Sequence, residues 1–117
     1  MKYWFTGDQH FCHENVIKYC NRPFKNVTEM DEEIIKRFNE VVTNNDVVVH
    51  VGDFTLKSKK VADNYIRRLN GVNIFLRGSH DYWKNDSEWV TVWEKKIDGI
   101  YIVCCHYQMV SWPRSFH

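Results

Sequence analysis

The sequence predicts an α/β domain with a mostly parallel sheet, followed by a smaller antiparallel unit. The first observation is that, through residue 76, short runs of β-branched and aromatic residues alternate with segments whose apolar residues recur at helical spacing. Strand, helix, strand, helix, strand is the order that crossovers around a parallel sheet produce. The second observation is that the pattern changes after residue 90, where two apolar runs flank Asp98-Gly99. That arrangement indicates a hairpin with a tight primed turn, which would begin a second sheet.

Each strand is an apolar run with a clear boundary. The first is expected over residues 2–6, and the second over residues 47–51, a β-branched run typical of a strand buried on both faces. The third is expected over residues 72–76, directly after Asn70-Gly71, a good helix stop. The hairpin strands are expected over residues 92–97 and 100–105.

Three helices are expected between the strands. A short one over residues 14–20 ends near Pro23, because proline restricts the residue before it. For the next helix, Thr28 and Asp31 resemble a capping box, and its apolar positions recur at helical spacing: Ile34, Ile35, Phe38, Val41 and Val42. Ser58 is expected to cap the third, whose inner face would be Val61, Ala62, Tyr65, Ile66 and Leu69.

Composition limits the classes of function. A chain of 117 residues with 44% hydrophobic content fits one soluble domain with a modest core. A formal net charge of +1, with the two signs interspersed, does not indicate nucleic acid or a membrane surface as a partner. No run resembles a signal peptide or a membrane span. The four cysteines form no C-x-x-C pair, which favours reduced thiols and a cytoplasmic location.

Acidic and histidine residues gather where the apolar runs end. The carboxyl ends of parallel strands meet at one edge of a sheet, where ligands bind. Carboxylates and imidazoles brought together there are typical ligands of a catalytic metal centre. Any one such cluster alone is an ordinary turn, but four in register with strand ends favour a site. The candidate residues are Asp8, His10, Asp53, Ser79, His80, Asp81 and His106.

The order of these clusters resembles the calcineurin-like metallophosphoesterase family. The motifs that carry the resemblance are Asp8-x-His10, Gly52-Asp53, Gly78-Ser79-His80-Asp81 and Cys105-His106. Residues 11–15 and 21–24 further resemble a small bacterial and phage subgroup. The resemblance implies a metallophosphoesterase-type α/β/β/α sandwich, here lacking the C-terminal part of the second sheet. It also implies one domain over residues 1–117, incomplete at its C-terminus.

The resemblance also implies roles for single residues. Asp8 and His10 match ligands of a first metal, Asp53 the carboxylate that bridges both metals, and His106 a ligand of the second. His80 matches the histidine that contacts substrate and protonates the leaving oxygen, with Asp81 orienting it. The implied reaction is hydrolysis of a phosphomonoester or phosphodiester by a metal-bound hydroxide. Up to two divalent ions are implied, from Mn, Fe, Zn, Ni or Mg.

Two departures from the family pattern leave three functions open. Ser79 stands where the family has an asparagine that binds the second metal, and the chain ends before a Gly-His-x-His segment that supplies two further ligands. Weak to moderate metal binding is therefore expected at the first site and hardly any at the second. The chain is then an active phosphoesterase, an impaired domain that binds a partner or phosphorylated ligand, or a fragment of a longer active enzyme.

Several other residues allow two interpretations. His13 and Arg22 lie close enough to the first cluster to contact a phosphate, but helix-start polar residues are equally common. His50 is interpreted as an interior structural histidine. The tryptophans line a substrate groove or cover the core: Trp83, Trp89 and Trp93. The expected partners are a phosphorylated small molecule or nucleotide, and a second copy of the chain paired through an exposed hairpin edge.

Overall fold

The computed structural model describes residues 1–83 and 90–112. Its elements follow the expected order, most of them with slightly shorter ends. They are β1 (Tyr3–Thr6), α1 (Asn15–Tyr19), α2 (Val27–Val41), β2 (Val47–His50), α3 (Lys59–Ile66), β3 (Val72–Phe75), β4 (Val92–Ile97) and β5 (Ile100–Cys105). None of the helices in these two ranges combines the length and apolar character that crossing a membrane requires.

The first sheet is parallel, with the strand order β1-β2-β3. Its register pairs Thr6 with His50 and His50 with Phe75, so the three strands end level with one another. The segments that carry the candidate residues therefore leave the sheet side by side. The mixed α/β architecture confirms the predicted fold class and its parallel sheet.

The second sheet of the described residues is the antiparallel hairpin β4-β5. Its turn has φ of 49° at Asp98 and 82° at Gly99, and positive values at both central residues are typical of a type I′ turn, one of the two primed turns that were expected. Trp93 joins the hairpin to the first sheet, because its ring lies 6.4 Å from that of Tyr3 and 5.8 Å from that of Phe5. Trp93 thus covers β1 rather than a groove, and Trp89 lies outside the described residues.

Helix α2 begins differently from the expectation. The side chain of Asn26 accepts the backbone N–H of Glu29 at 2.9 Å, and the Glu29 carboxylate accepts that of Lys25 at 2.7 Å. The predicted capping box of Thr28 and Asp31 is therefore wrong, because the helix is capped two residues earlier. Asp31 instead lies buried, where it accepts hydrogen bonds from the Cys12 backbone and the Tyr65 hydroxyl. Ser58 precedes α3 as expected, but its hydroxyl makes no capping bond.

The main core lies where α2, α3 and the loops after the strands meet. Aromatic residues dominate it, since the Phe11 ring stacks on Tyr65 and the Phe54 ring meets Phe75 edge-on. Trp83 belongs to this core with 8% exposure, which settles its role as core rather than groove wall. The buried cluster is Phe11, Ile35, Phe54, Ala62, Leu69 and Trp83.

His50 is an interior histidine, as predicted, with 1% exposure. Asn73 donates its amide hydrogens to Asn70 and Gly71, so its oxygen faces His50 Nε2 at 2.8 Å and accepts that proton. Nδ1 is then an acceptor, and it receives the Gln9 amide at 2.8 Å. Burial lowers the pKa of His50 from 6.5 to about 4, so the ring is neutral at neutral pH.

This histidine predicts a loss of stability in acid. As pH falls below 6.5, the unfolded chain takes up the His50 proton before the folded chain does, so stability falls until pH approaches about 4. Between pH 6.5 and 5 the contribution of His50 is about 2 kcal/mol of unfolding free energy. Urea denaturation of the wild type and His50→Gln should show a steeper pH dependence in the wild type. Equal slopes in the two proteins would contradict a buried, neutral His50.

Candidate metal centre

The segments that follow β1 and β2 stay paired beyond the ends of the strands. Asp8 donates its backbone N–H to Gly52 at 2.9 Å, and His10 donates to Asp53 at 3.0 Å. The pairing continues to Phe11, which donates to the carbonyl of Phe54 at 2.8 Å. These bonds fix the acidic and histidine side chains of the first cluster beside those of the second.

The backbone at this edge adopts a conformation that residues with a Cβ rarely take. Asp8, His10 and Asp53 have φ of 57°, 55° and 56°, all in the left-handed region. Such residues cost about 1–3 kcal/mol each and persist where the surrounding structure holds them. Here the backbone pairing between the two segments does so. Of the six described non-glycine residues with positive φ, three are thus expected metal ligands.

One oxygen of Asp53 is the geometric centre of the site. Its Oδ2 lies 3.6 Å from His10 Nε2, 3.1 Å from His80 Nδ1 and 3.5 Å from His106 Nε2. The other oxygen, Oδ1, accepts the backbone N–H of His80 at 2.9 Å. A largely buried carboxylate surrounded by three imidazoles has the chemistry of a ligand shared between two cations.

Two groups of side chains could hold an ion within the described part of the chain. One is His10, Asp53 and His80, and the other is Asp8, Asp53 and His106, with ligand atoms within 4.8 Å of one another in each. Both groups share Asp53, as the expected bridging role requires. The grouping differs in detail from the expectation, because Asp8 lies with His106 rather than with His10. Ser79 is exposed, and its hydroxyl lies 3.1 Å from His80 Nδ1.

His106 is held in the form that a metal ligand needs. Its Nδ1 lies 3.0 Å from the Val51 carbonyl oxygen, which can only accept, so Nδ1 carries the proton. The lone pair is then on Nε2, the atom that faces Asp53. A backbone carbonyl that fixes the tautomer in this way is a common outer partner of metal-bound histidine. The donor set therefore fits a divalent cation.

The charge states of the site also suit metal binding. Burial tends to raise the pKa of Asp53, but hydrogen bonds from the His80 backbone and ring, with the charge of His106, outweigh it and lower the pKa. Burial lowers the pKa of His10 despite the opposing charge of Asp53. At neutral pH the site thus offers a carboxylate and a neutral imidazole, the forms that coordinate metals.

Asp81 does not orient His80 as the resemblance implied. Its carboxylate is 1% exposed and binds the loop that carries Asp53. The donors are the backbone N–H groups of Asp53 at 2.7 Å, Phe54 at 2.8 Å, Thr55 at 3.4 Å and Gly78 at 2.8 Å, with Trp83 Nε1 at 3.0 Å. These bonds use the acceptor capacity of the carboxylate, while the His80 ring contacts Asp53 and Ser79 instead. Asp81 therefore positions the central carboxylate.

The two expected phosphate-contacting residues occupy different places. His13 lies at the site, with its Nδ1 at 3.0 Å from His10 Nδ1 and its ring centre 6.2 Å from that of His80. Arg22 lies behind the first loop, where its guanidinium donates to the carbonyls of Asp8 at 2.6 Å and Gln9 at 2.7 Å. Arg22 therefore holds the ligand-bearing loop. The sequence offered no signal for this role, because the contact is tertiary.

Two glycines let the site close. A Cβ on Gly52 would lie 2.5 Å from His106 Nδ1, and φ there is +109°. A Cβ on Gly78 would overlap both the carboxylate and the backbone nitrogen of Asp53. The loops after β2 and β3 can approach each other only because both positions lack a side chain.

Comparison with known proteins places this geometry in one family. Residues 1–114 match the family described as calcineurin-like phosphoesterase. An uncharacterized protein of Methanocaldococcus jannaschii is 46% identical over 82 residues, which are 68% of this chain and 47% of that protein. The crystal structure of a protein of unknown function from Aquifex aeolicus is similar with a TM-score of 0.72 and 26% identity. That match covers 92% of this chain and 61% of the other. The chain thus spans about half the length of the first relative.

Asp81→Asn should destabilise the protein by about 3 kcal/mol. The amide has one acceptor oxygen, and its NH₂ group would face backbone N–H donors that now bind a carboxylate. Urea denaturation measures the change. Asp98→Asn is the matched control, because Asp98 is exposed in a turn where asparagine is favoured, and should be neutral. Equal stability of the two variants would refute the central structural role of Asp81.

Gly78→Ala should weaken manganese binding by about tenfold or more, because the new methyl group must displace Asp53. Gly7→Ala is the control next to the same cluster, since its Cβ would meet nothing closer than 3.6 Å. Calorimetric titration with Mn²⁺ compares the two variants, and circular dichroism verifies that both are folded. The same affinity in both would show that Asp53 is not a ligand.

Proposed function

Because the chain belongs to the calcineurin-like phosphoesterase family, we propose that it is a metal-dependent hydrolase of phosphomonoesters or phosphodiesters. The observation that carries the proposal is the surroundings of Asp53 Oδ2, with imidazole nitrogens of His10, His80 and His106 within 3.6 Å. A buried carboxylate with several imidazoles around it is a functional-site candidate, because these groups are metal ligands and proton carriers.

The residues that would hold the cations can be named. Asp53 would be the shared ligand, with His10 on one side and with Asp8 and His106 on the other. Mixed oxygen and nitrogen donors suit Mn, Fe, Zn, Ni or Mg to different degrees, and we propose manganese as the first ion to test. When bound, two such cations activate a water molecule and neutralise the charge on the phosphoryl oxygens.

His80 is best suited to the proton transfer. Its side chain is 43% exposed, compared with 11% for His10 and 16% for His106, so it is the imidazole that an arriving substrate meets. Its Nδ1 lies 3.1 Å from Asp53 Oδ2, which holds one proton of the ring in place. Nε2 can then deliver a second proton to the leaving oxygen. Asp81 contributes by fixing the Asp53 loop.

A second candidate is an impaired phosphoesterase domain that binds a partner or phosphorylated ligand. Ser79 favours it, since an exposed hydroxyl has neither the reach nor the oxygen basicity of the expected asparagine. A third is that these residues form part of a longer enzyme, consistent with coverage of 47% of the curated relative. For all three we propose a phosphorylated small molecule or nucleotide as ligand.

We also propose a cytoplasmic location, which the four unpaired cysteines favour.

Hydrolysis of bis(p-nitrophenyl) phosphate and p-nitrophenyl phosphate with added Mn²⁺ tests the proposal. The chain should turn over at least one of them, and Asp53→Asn should lower the rate by about a hundredfold or more. Asp98→Asn should leave it unchanged. Ser79→Asn should raise the rate, because an amide oxygen can reach a cation that a hydroxyl cannot.

The first candidate can be separated from the other two. No turnover by either the wild type or Ser79→Asn, with manganese and phosphate still bound, would exclude the first candidate and leave the second and the third. Calorimetry that shows two tight manganese sites on the wild type would contradict the weak second site expected from Ser79.

A further inference from the structure

A cleft of about 440 Å³ adjoins the metal centre on the side of His13. Its volume lies within the roughly 300–1,000 Å³ of ligand sites. Polar and apolar side chains share its walls, among them His13, Glu14, Asn15, Val27, Leu56 and Lys57. The roles assigned above to the metal ligands and to His80 leave this cleft unused.

The cleft is joined to the reaction centre through His13. Its Nδ1 lies 3.0 Å from Nδ1 of His10, and its ring centre lies 6.2 Å from that of His80. A substrate whose scissile phosphoryl group reaches Asp53 and His80 therefore has its next group at the mouth of the cleft. The rest of such a substrate would then lie in the cleft, because the cleft adjoins the metal centre on the side of His13.

The contact between the two histidines would leave His13 with a hydrogen-bond donor. Where His10 Nε2 serves as a metal ligand beside Asp53, the proton of its neutral ring would be on Nδ1, which would donate it to His13 Nδ1. The proton of His13 is then on Nε2, which is a hydrogen-bond donor. Such a donor selects an acceptor, and an anionic oxygen is the strongest.

Lys57 adds a positive charge to the same cleft. Its backbone N–H bonds to Thr55 Oγ1 at 3.2 Å, and Thr55 in turn donates to the Phe11 carbonyl at 2.7 Å. Thr55 is 1% exposed, so the backbone of Lys57 is anchored to the buried loops that carry the metal ligands. The side chain is exposed and free to reach an anion. Glu14 also lines the cleft, and its negative charge would repel an anion bound there.

Resting on the proposed function, we infer that this cleft binds a second phosphate of the substrate. The substrate class is a phosphoanhydride, or an ester that carries a second phosphate next to the scissile one, such as a nucleoside diphosphate. For the anhydride, the oxygen of water bonds to the terminal phosphorus as the bridging P–O bond breaks. The leaving phosphate keeps the bond's electron pair and takes a proton from His80, and the proton that the water gives up passes to the solvent. Val27 and Leu56 offer an apolar wall for the remainder of the substrate.

The test compares two non-reacting probes on the full 117-residue chain in the presence of Mn²⁺. Methylenediphosphonate carries two phosphonates, and inorganic phosphate carries one group. Calorimetry should show tighter binding of the bisphosphonate by the wild type. Lys57→Ala should weaken that binding about tenfold and leave phosphate binding unchanged, because only the second group reaches the lysine.

Two further variants sharpen the comparison. Lys59→Ala removes the same charge two residues away, at an exposed position outside the cleft. It should leave the affinity for both probes unchanged. Glu14→Gln should strengthen bisphosphonate binding two- to threefold, because it removes a like charge from the cleft. Opposite responses at Lys57 and Glu14, together with an unchanged affinity in Lys59→Ala, would identify an anion site rather than a general effect of net charge.

The results that would overturn the inference are distinct from those that would overturn the function. Equal affinities for phosphate and bisphosphonate would refute the second-phosphate site alone. So would equal effects of Lys57→Ala and Lys59→Ala on bisphosphonate binding. No manganese-dependent binding of either probe by the wild type would refute both the site and the proposed function.

Discussion

The structure depends on one buried carboxylate, that of Asp81. It gathers N–H groups from the segment after β2 and from the turn after β3, together with the indole of Trp83 in the core. A carboxylate that accepts several backbone donors is stabilised as the anion, and losing it would leave those donors buried without partners. The position of Asp53, and with it the centre of the site, follows from this contact.

The strain at the site and the contacts that hold it belong to one arrangement. Left-handed backbone at Asp8, His10 and Asp53 costs free energy, and the paired loops and the Arg22 guanidinium offset that cost. The glycines at 52 and 78 then let the loops approach until His106 and His80 meet the same carboxylate oxygen. The fold thus places charged and imidazole groups together in a fixed geometry, which metal binding and electrostatic catalysis require.

Periodicity and turn chemistry were enough to predict the strands, the helices and the hairpin, because those signals are local. The meeting of His10, Asp53 and His80 followed from one rule, that parallel strands end at a common edge. His106 follows an antiparallel strand, and its role came from the family resemblance. The contacts that decide the roles are not local: Asp81 reaches residues 26 to 28 positions away, and Arg22 reaches back to Asp8. The cap of α2 was also missed, since Asn26 and Thr28 are both good capping residues and tertiary burial of Asp31 decided between them.

We propose that Asp53 is the ligand shared by the metal sites of this chain. Anomalous X-ray scattering at the manganese edge, from crystals grown with Mn²⁺, tests this role directly. A peak is expected within coordination distance of Asp53, flanked by His10 or by Asp8 and His106. Manganese bound elsewhere, or crystals with no peak beside Asp53 at saturating Mn²⁺, would contradict it.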